Sequence, residues 1–182
     1  MQEDKIKFYS VSQKFFYKDK IDENLCTNAL DFISSIKNEF NHRTWNCDIK
    51  TSNNYTKNIL NLPQLRQLKL HVLQTIDNYM TNKNEYFDGY ISHSWVNIYE
   101  KNFYQESHTH WDAVHKFICG VLYLTNNNSE ISFGLDNMNA MSPKFADILV
   151  FDDDLVHRVL PNKNEDLRIS LAFNFKKCAI FS

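Results

Sequence analysis

His108-Thr109-His110-Trp111-Asp112 stands just upstream of Phe117-Ile118-Cys119-Gly120-Val121-Leu122-Tyr123-Leu124, the most apolar run of the chain. A run of that length, bounded by polar turn formers, reads as a buried strand. Residues 103–112 read as the extended segment before it. On a strand, positions i and i+2 share a face, so His110 and Asp112 would converge on one point, with Trp111 turned the other way into packing. Working outward, residues 131–133, 145–151 and 156–160 are further short apolar segments, separated by Asn126-Asn127-Asn128 and by Asp152-Asp153-Asp154, which reads as a solvated turn. Residues 167–175 alternate: Leu167, Ile169, Leu171, Phe173 and Phe175 on one face, Arg168, Ser170, Ala172 and Asn174 on the other. Upstream, after Asp88-Gly89, residues 91–99 also take the two-residue period.

The first half of the chain has a different rhythm. Ile6-Lys7-Phe8-Tyr9 looks like a short strand. Asp22 is placed to cap a helix carrying Leu25, Ala29, Phe32, Ile33 and Ile36 at helical spacing and ending near Phe40-Asn41. Residues 45–54 read as an irregular connection. A second helix, with Asn61 as cap and Pro63 early, carries the stripe Leu65, Leu68, Val72, Leu73, Ile76 and Tyr79, and leaves His71 on its surface. Helices first and short strands after point to an α+β fold. A helical layer would back an antiparallel sheet that closes into a sandwich or jelly roll. The whole chain, 1–182, reads as one domain, with 1–88 as a helical support region and 89–176 as the jelly-roll core.

Composition narrows the function. The chain has 182 residues, 43% hydrophobic and 14% aromatic, enough to bury a sizeable core. A net charge of −2 without a long basic run disfavours a nucleic-acid partner. Cys26, Cys47, Cys119 and Cys178 lie far apart with no C-x-x-C pair, which disfavours a disulfide scaffold or a zinc ribbon and fits free thiols in a reducing cytoplasm. The charged residues 1–5 do not read as a signal peptide, no apolar run is long enough for a membrane, and Cys178 lies one position too early for a prenylation box.

Two imidazoles and a carboxylate on one face of a metal, with His157 arriving from another strand, would leave positions open for chemistry, as in non-haem Fe(II) sites. Arg168 sits on the polar face of an otherwise apolar strand. A buried guanidinium needs an anion, and its planar fork suits a carboxylate; Ser170 shares its face. The frame Trp95-Val96-Asn97-Ile98-Tyr99, His110 with Asp112, Gly120-Val121-Leu122-Tyr123-Leu124, His157-Arg158-Val159-Leu160-Pro161 and Arg168-Ile169-Ser170-Leu171-Ala172-Phe173-Asn174 resembles the 2-oxoglutarate/Fe(II)-dependent dioxygenases. Within them it is similar to the small phage and bacterial oxygenases related to prolyl hydroxylases.

That resemblance implies a double-stranded β-helix, the cupin-like jelly roll, and a hydroxylase using Fe(II), 2-oxoglutarate and O2, with ascorbate as an accessory reductant. It implies His110, Asp112 and His157 as metal ligands, Arg168 and Ser170 on the distal carboxylate of 2-oxoglutarate, and Tyr123 and Tyr99 as further cosubstrate contacts. His108, His110 and Asp112 share one face, so a register using His108 and His110 is open; the distance to the strand at Gly120-Val121 favours His110 and Asp112. Other readings also stand at this point. The histidines belong to a non-catalytic metal-binding jelly-roll module, Arg168 to a plain salt bridge, and Tyr99 and Tyr123 to the core. A zinc hydrolase lacks an evident base such as the Glu of H-E-x-x-H. The substrate, protein side chain or small molecule, is not legible, nor is the oligomeric state.

Overall fold

A computed structural model describes residues 7–11, 14–44, 47–134 and 139–178, with side chains from residue 16 onward. Ile6, residues 1–5, 45–46 and 179–182, touched on above, lie outside the described residues.

Eight strands of the second half run as a β-helix: β5 (Gly89–Tyr99), β6 (Gln105–His108), β7 (Phe117–Tyr123), β8 (Ile131–Phe133), β9 (Asn139–Met141), β10 (Asp147–Asp152), β11 (His157–Val159) and β12 (Arg168–Lys177). They fall into two antiparallel sheets, one containing β10-β7-β12-β5 in that order and the other β6-β11-β8-β9. The chain switches sheet at nearly every connection, which is the jelly-roll path. The first half is more than helical support. Its strand β2 (Lys14–Lys20) pairs with β10 and carries β1 (Lys7–Val11) on its outer edge, and β4 (Ile49–Thr51) pairs with β5 and carries β3 (Asn41–Arg43), so the main sheet has eight strands. Thus β4 lies inside the stretch read as irregular.

Helix α1 (Glu23–Ile36) begins where Asp22 accepts hydrogen bonds from the N–H groups of Asn24 (2.9 Å) and Leu25 (3.1 Å). Helix α2 (Arg66–Asn82) begins later than its sequence pattern suggests. Two 3₁₀ turns, Ile59–Asn61 and Pro63–Leu65, precede it, and Asn61 accepts from Lys69 instead of capping. Both helices pack on the outer face of the main sheet. Ile33, Val72 and Ile76 join Val96, Leu122, Val150, Ile169, Leu171, Phe173 and Phe175 in one apolar cluster, the main source of fold stability. Gly120 is required there: a Cβ on it would come within 2.2 Å of the Phe173 ring. Among the described residues no helix is long and apolar enough to cross a membrane, and Cys26, Cys47, Cys119 and Cys178 form no disulfide.

The space between the two sheets is filled at one end by Phe16, Phe133, Leu149, Phe151 and Leu155. At the other it is lined by polar side chains from β5, β6, β7, β11 and β12. Strand alternation puts them there: on β12, Arg168 and Ser170 point inward because Ile169 and Leu171 point to the helices.

Candidate metal centre

Three imidazoles meet at the mouth of this inner cavity. The ligand atoms of His108, His110 and His157 all lie within 4.8 Å of one another. The rings of His108 and His157 are 4.2 Å apart, those of His108 and His110 5.2 Å, and those of His110 and His157 5.3 Å and nearly parallel at 11°. The ring of Phe151 stands 4.8 Å from that of His157, edge-on, closing its dry side.

Two of the rings have their tautomers fixed by backbone. His157 Nδ1 lies 2.9 Å from the Leu155 carbonyl and His108 Nδ1 lies 2.8 Å from the Glu106 carbonyl. A carbonyl only accepts, so Nδ1 carries the proton in both rings and Nε2 keeps its lone pair, the usual arrangement for a metal-binding histidine. Burial holds all three imidazoles neutral. His110 is pushed down to about 4 by desolvation, with His108 adding to it. His157 is pushed well below its ordinary value by burial and the two neighbouring imidazoles, against its carbonyl partner. His108 is lowered by burial. Neutral imidazoles with free lone pairs are ready for a divalent cation.

Asp112, expected from the sequence beside His110, lies outside this group of three imidazoles in the structure. Strand β6 ends at His108, so the two-residue alternation does not extend to residue 112. Asp112 instead caps its own turn: Oδ1 accepts from the N–H groups of Val114 (2.7 Å) and His115 (2.8 Å) and pairs with His115 Nδ1 at 3.2 Å. The two backbone N–H groups, then His115, hold its carboxyl below the ordinary value. Trp111 is 59% exposed instead of packed. His108 stands beside His110 and His157 instead, and the strand that carries it, β6, has a bulge. His157 pairs with His108 and Val159 with Gln105, so four residues of β6 face three of β11. The extra residue lets both Gln105 and His108 point inward.

Asp153 is a residue that sequence reasoning missed. Its carbonyl accepts from the His110 N–H (2.8 Å) and its carboxylate from the Phe117 N–H (3.0 Å), so it ties both ends of the 109–116 loop. It is 4% exposed, not the solvated turn expected, and nothing in its local sequence marks it.

At the far end of the cavity Arg168 lies between two rings, its guanidinium carbon 5.3 Å from the centre of Tyr99 and 5.2 Å from that of Tyr123. One of its nitrogens donates to the Glu130 carbonyl at 3.0 Å, while Nε has no partner. The Tyr123 hydroxyl is buried with no partner for its own proton; desolvation pushes it up to about 12, which the charge and hydrogen bonding of Arg168 oppose. Tyr99 donates its hydroxyl to Gln105 Oε1 at 3.0 Å, so it offers Arg168 its ring only. Ser170 lies opposite Tyr123 on the neighbouring strand. Two buried polar groups with unmade bonds, side by side, fit one anionic group able to accept from both. The cavity between them and the imidazoles is narrow, about 30 Å³. Beyond the imidazoles a wider outer cleft opens, lined by Arg43, Asn53, Trp95 and Glu106.

No family model matches the sequence, and no curated relative matches it. Solved structures do match its fold. They include a prolyl-4-hydroxylase from Pseudomonas putida (14% identical, TM-score 0.70, covering 90% of this chain and 93% of that one). A viral collagen prolyl hydroxylase from Paramecium bursaria Chlorella virus-1, in complex with 2-oxoglutarate, also matches (13%, TM-score 0.64, 90% and 96%). So does HygX from Streptomyces hygroscopicus with nickel, 2-oxoglutarate and hygromycin B bound (10%, TM-score 0.63, 89% and 82%). The chain therefore has the jelly-roll fold of 2-oxoglutarate/Fe(II) oxygenases.

Proposed function

We propose that the protein is an Fe(II)- and 2-oxoglutarate-dependent dioxygenase whose metal is held by His108, His110 and His157. The observation that carries this reading is the pair of unmade buried bonds, Arg168 Nε and Tyr123 Oη, at the opposite end of the cavity from three convergent imidazoles. A five-carbon diacid has one end for each. A metal-storing jelly-roll module has no use for an unsatisfied buried guanidinium, so that alternative is not favoured.

When bound, Fe(II) and 2-oxoglutarate supply oxidative decarboxylation to succinate and CO2, coupled to hydroxylation of a second substrate by O2. The chain's own part is positioning. Arg168 and Tyr123 hold the distal carboxylate, and Ser170 on the same wall offers a further hydroxyl. The rings of Tyr99 and Tyr123 keep water from the guanidinium, which strengthens its pairing. Phe133 and Phe151 keep water from His157. The outer cleft takes the second substrate, with Trp95, whose ring is 6.0 Å from that of His110, as its aromatic wall.

The test is succinate release from 2-oxoglutarate with Fe(II) and ascorbate in air. The wild-type chain releases succinate slowly without a second substrate, and His157→Ala releases none. A purified protein that binds neither Fe(II) nor 2-oxoglutarate defeats the reading.

A further inference from the structure

Gln105 faces the metal centre from the bulge in β6, and its orientation is determined by its neighbours. The proton of His108 is on Nδ1, against the Glu106 carbonyl, so His108 Nε2 only accepts. The Gln105 atom 3.3 Å from that Nε2 is therefore the amide nitrogen, donating. The amide oxygen, on the other side, takes the Tyr99 hydroxyl proton at 3.0 Å. Tyr99 thus points the Gln105 N–H groups at the lone pair a metal would use.

A metal on His108 takes that lone pair away. The Gln105 N–H then loses its acceptor while Tyr99 still aims it at the centre. A polar group left unmade at a half-buried site is costly, and the three ligands are neutral imidazoles that offer no acceptor in its place. The nearest new acceptor is an anionic oxygen brought by the cosubstrate. Gln105 also borders both the inner cavity and the outer cleft.

We propose that Gln105 is a cosubstrate-positioning residue, whose carboxamide N–H donates to the 2-oxo-acid end of 2-oxoglutarate once the metal has taken the His108 lone pair. This rests on the dioxygenase reading and adds a contact on the metal side, opposite Arg168. Tyr99 acts through Gln105, by holding its amide in one orientation.

The experiment is calorimetric titration of Mn(II) into the full chain, then of 2-oxoglutarate into the Mn(II)-loaded chain. In Gln105→Leu the Kd for 2-oxoglutarate rises about tenfold or more, the effect of one hydrogen bond to a charged group, while the Kd for Mn(II) is unchanged or tighter. Gln105→Glu keeps the shape and the Tyr99 bond but reverses the electrostatics. It binds Mn(II) more tightly and 2-oxoglutarate more weakly than Gln105→Leu does. Tyr99→Phe gives a smaller rise for 2-oxoglutarate, and combining it with Gln105→Leu adds nothing. Equal weakening of both ligands, or no change in either, overturns the assignment and leaves the dioxygenase reading standing. Wild-type protein that binds neither ligand overturns both.

Discussion

On the helix side of the main sheet β12 presents Ile169, Leu171, Phe173 and Phe175 to a continuous apolar cluster. On the inner side, one residue out of step, the same strand presents Arg168, Ser170 and Ala172 to a cavity. Strand β7 divides likewise, with Ile118 and Leu122 toward the helices and Cys119 and Tyr123 inward. One face removes apolar surface from water. The other keeps a guanidinium and a phenol incompletely bonded. Alternation separates what stabilises the chain from what a ligand must complete, and each can be altered without the other.

The sharpest test exchanges the two faces' roles. Leu171→Ala costs about 2–5 kcal/mol of stability in urea unfolding, the usual range for a buried leucine truncated in a packed core, and leaves cosubstrate affinity in the folded protein unchanged. Arg168→Met does the reverse. Its stability is held or raised because an incompletely bonded buried charge is replaced by a matching apolar chain, and 2-oxoglutarate binding is lost. If Arg168→Met keeps its affinity for 2-oxoglutarate, the inner face is not a ligand site.

Acid probes the same contrast. Burial depresses all three imidazoles in the folded protein, His110 to about 4, whereas in the unfolded chain they return to about 6.5. Between those values the unfolded state binds more protons, so stability is complete above about pH 6.5 and falls as pH drops toward 4. The urea midpoint of the metal-free protein follows that slope, and the slope is shallower in His157→Gln. An unchanged slope in that variant contradicts burial of a neutral His157.

The smallest expected effect separates the two ligand sets. Asp112→Ala loosens the turn at Val114 and His115 and leaves Mn(II) affinity where it was, while His108→Ala removes binding. A large loss of Mn(II) in Asp112→Ala restores the carboxylate to the metal.

The jelly roll was legible because its strands keep a clean two-residue period, and at β12 even the division of faces was readable. The candidate site was only partly legible. The structure brings His110 and His157 together, but β6 bulges against β11 and ends at His108, leaving Asp112 in its own loop, and no local pattern in residues 105–112 reveals either. Gln105 is hidden for the same reason, since an ideal strand would send residues 105 and 108 to opposite faces. Asp153 works partly through its backbone carbonyl, which any residue supplies. Strands β3 and β4 were missed because they are three residues each and exist by pairing, β4 with β5 and β3 with β4.

That short hairpin has a consequence for selectivity. Arg43 on β3 and Ile49 on β4 form one wall of the outer cleft, while every imidazole and the guanidinium come from residues beyond 100. The hairpin's share of that wall and the imidazoles thus come from separate stretches of the chain, with Trp95, Gln105 and Glu106 completing the cleft. On the proposed function, exchanging the hairpin changes which second substrate is accepted and leaves succinate release without one in place.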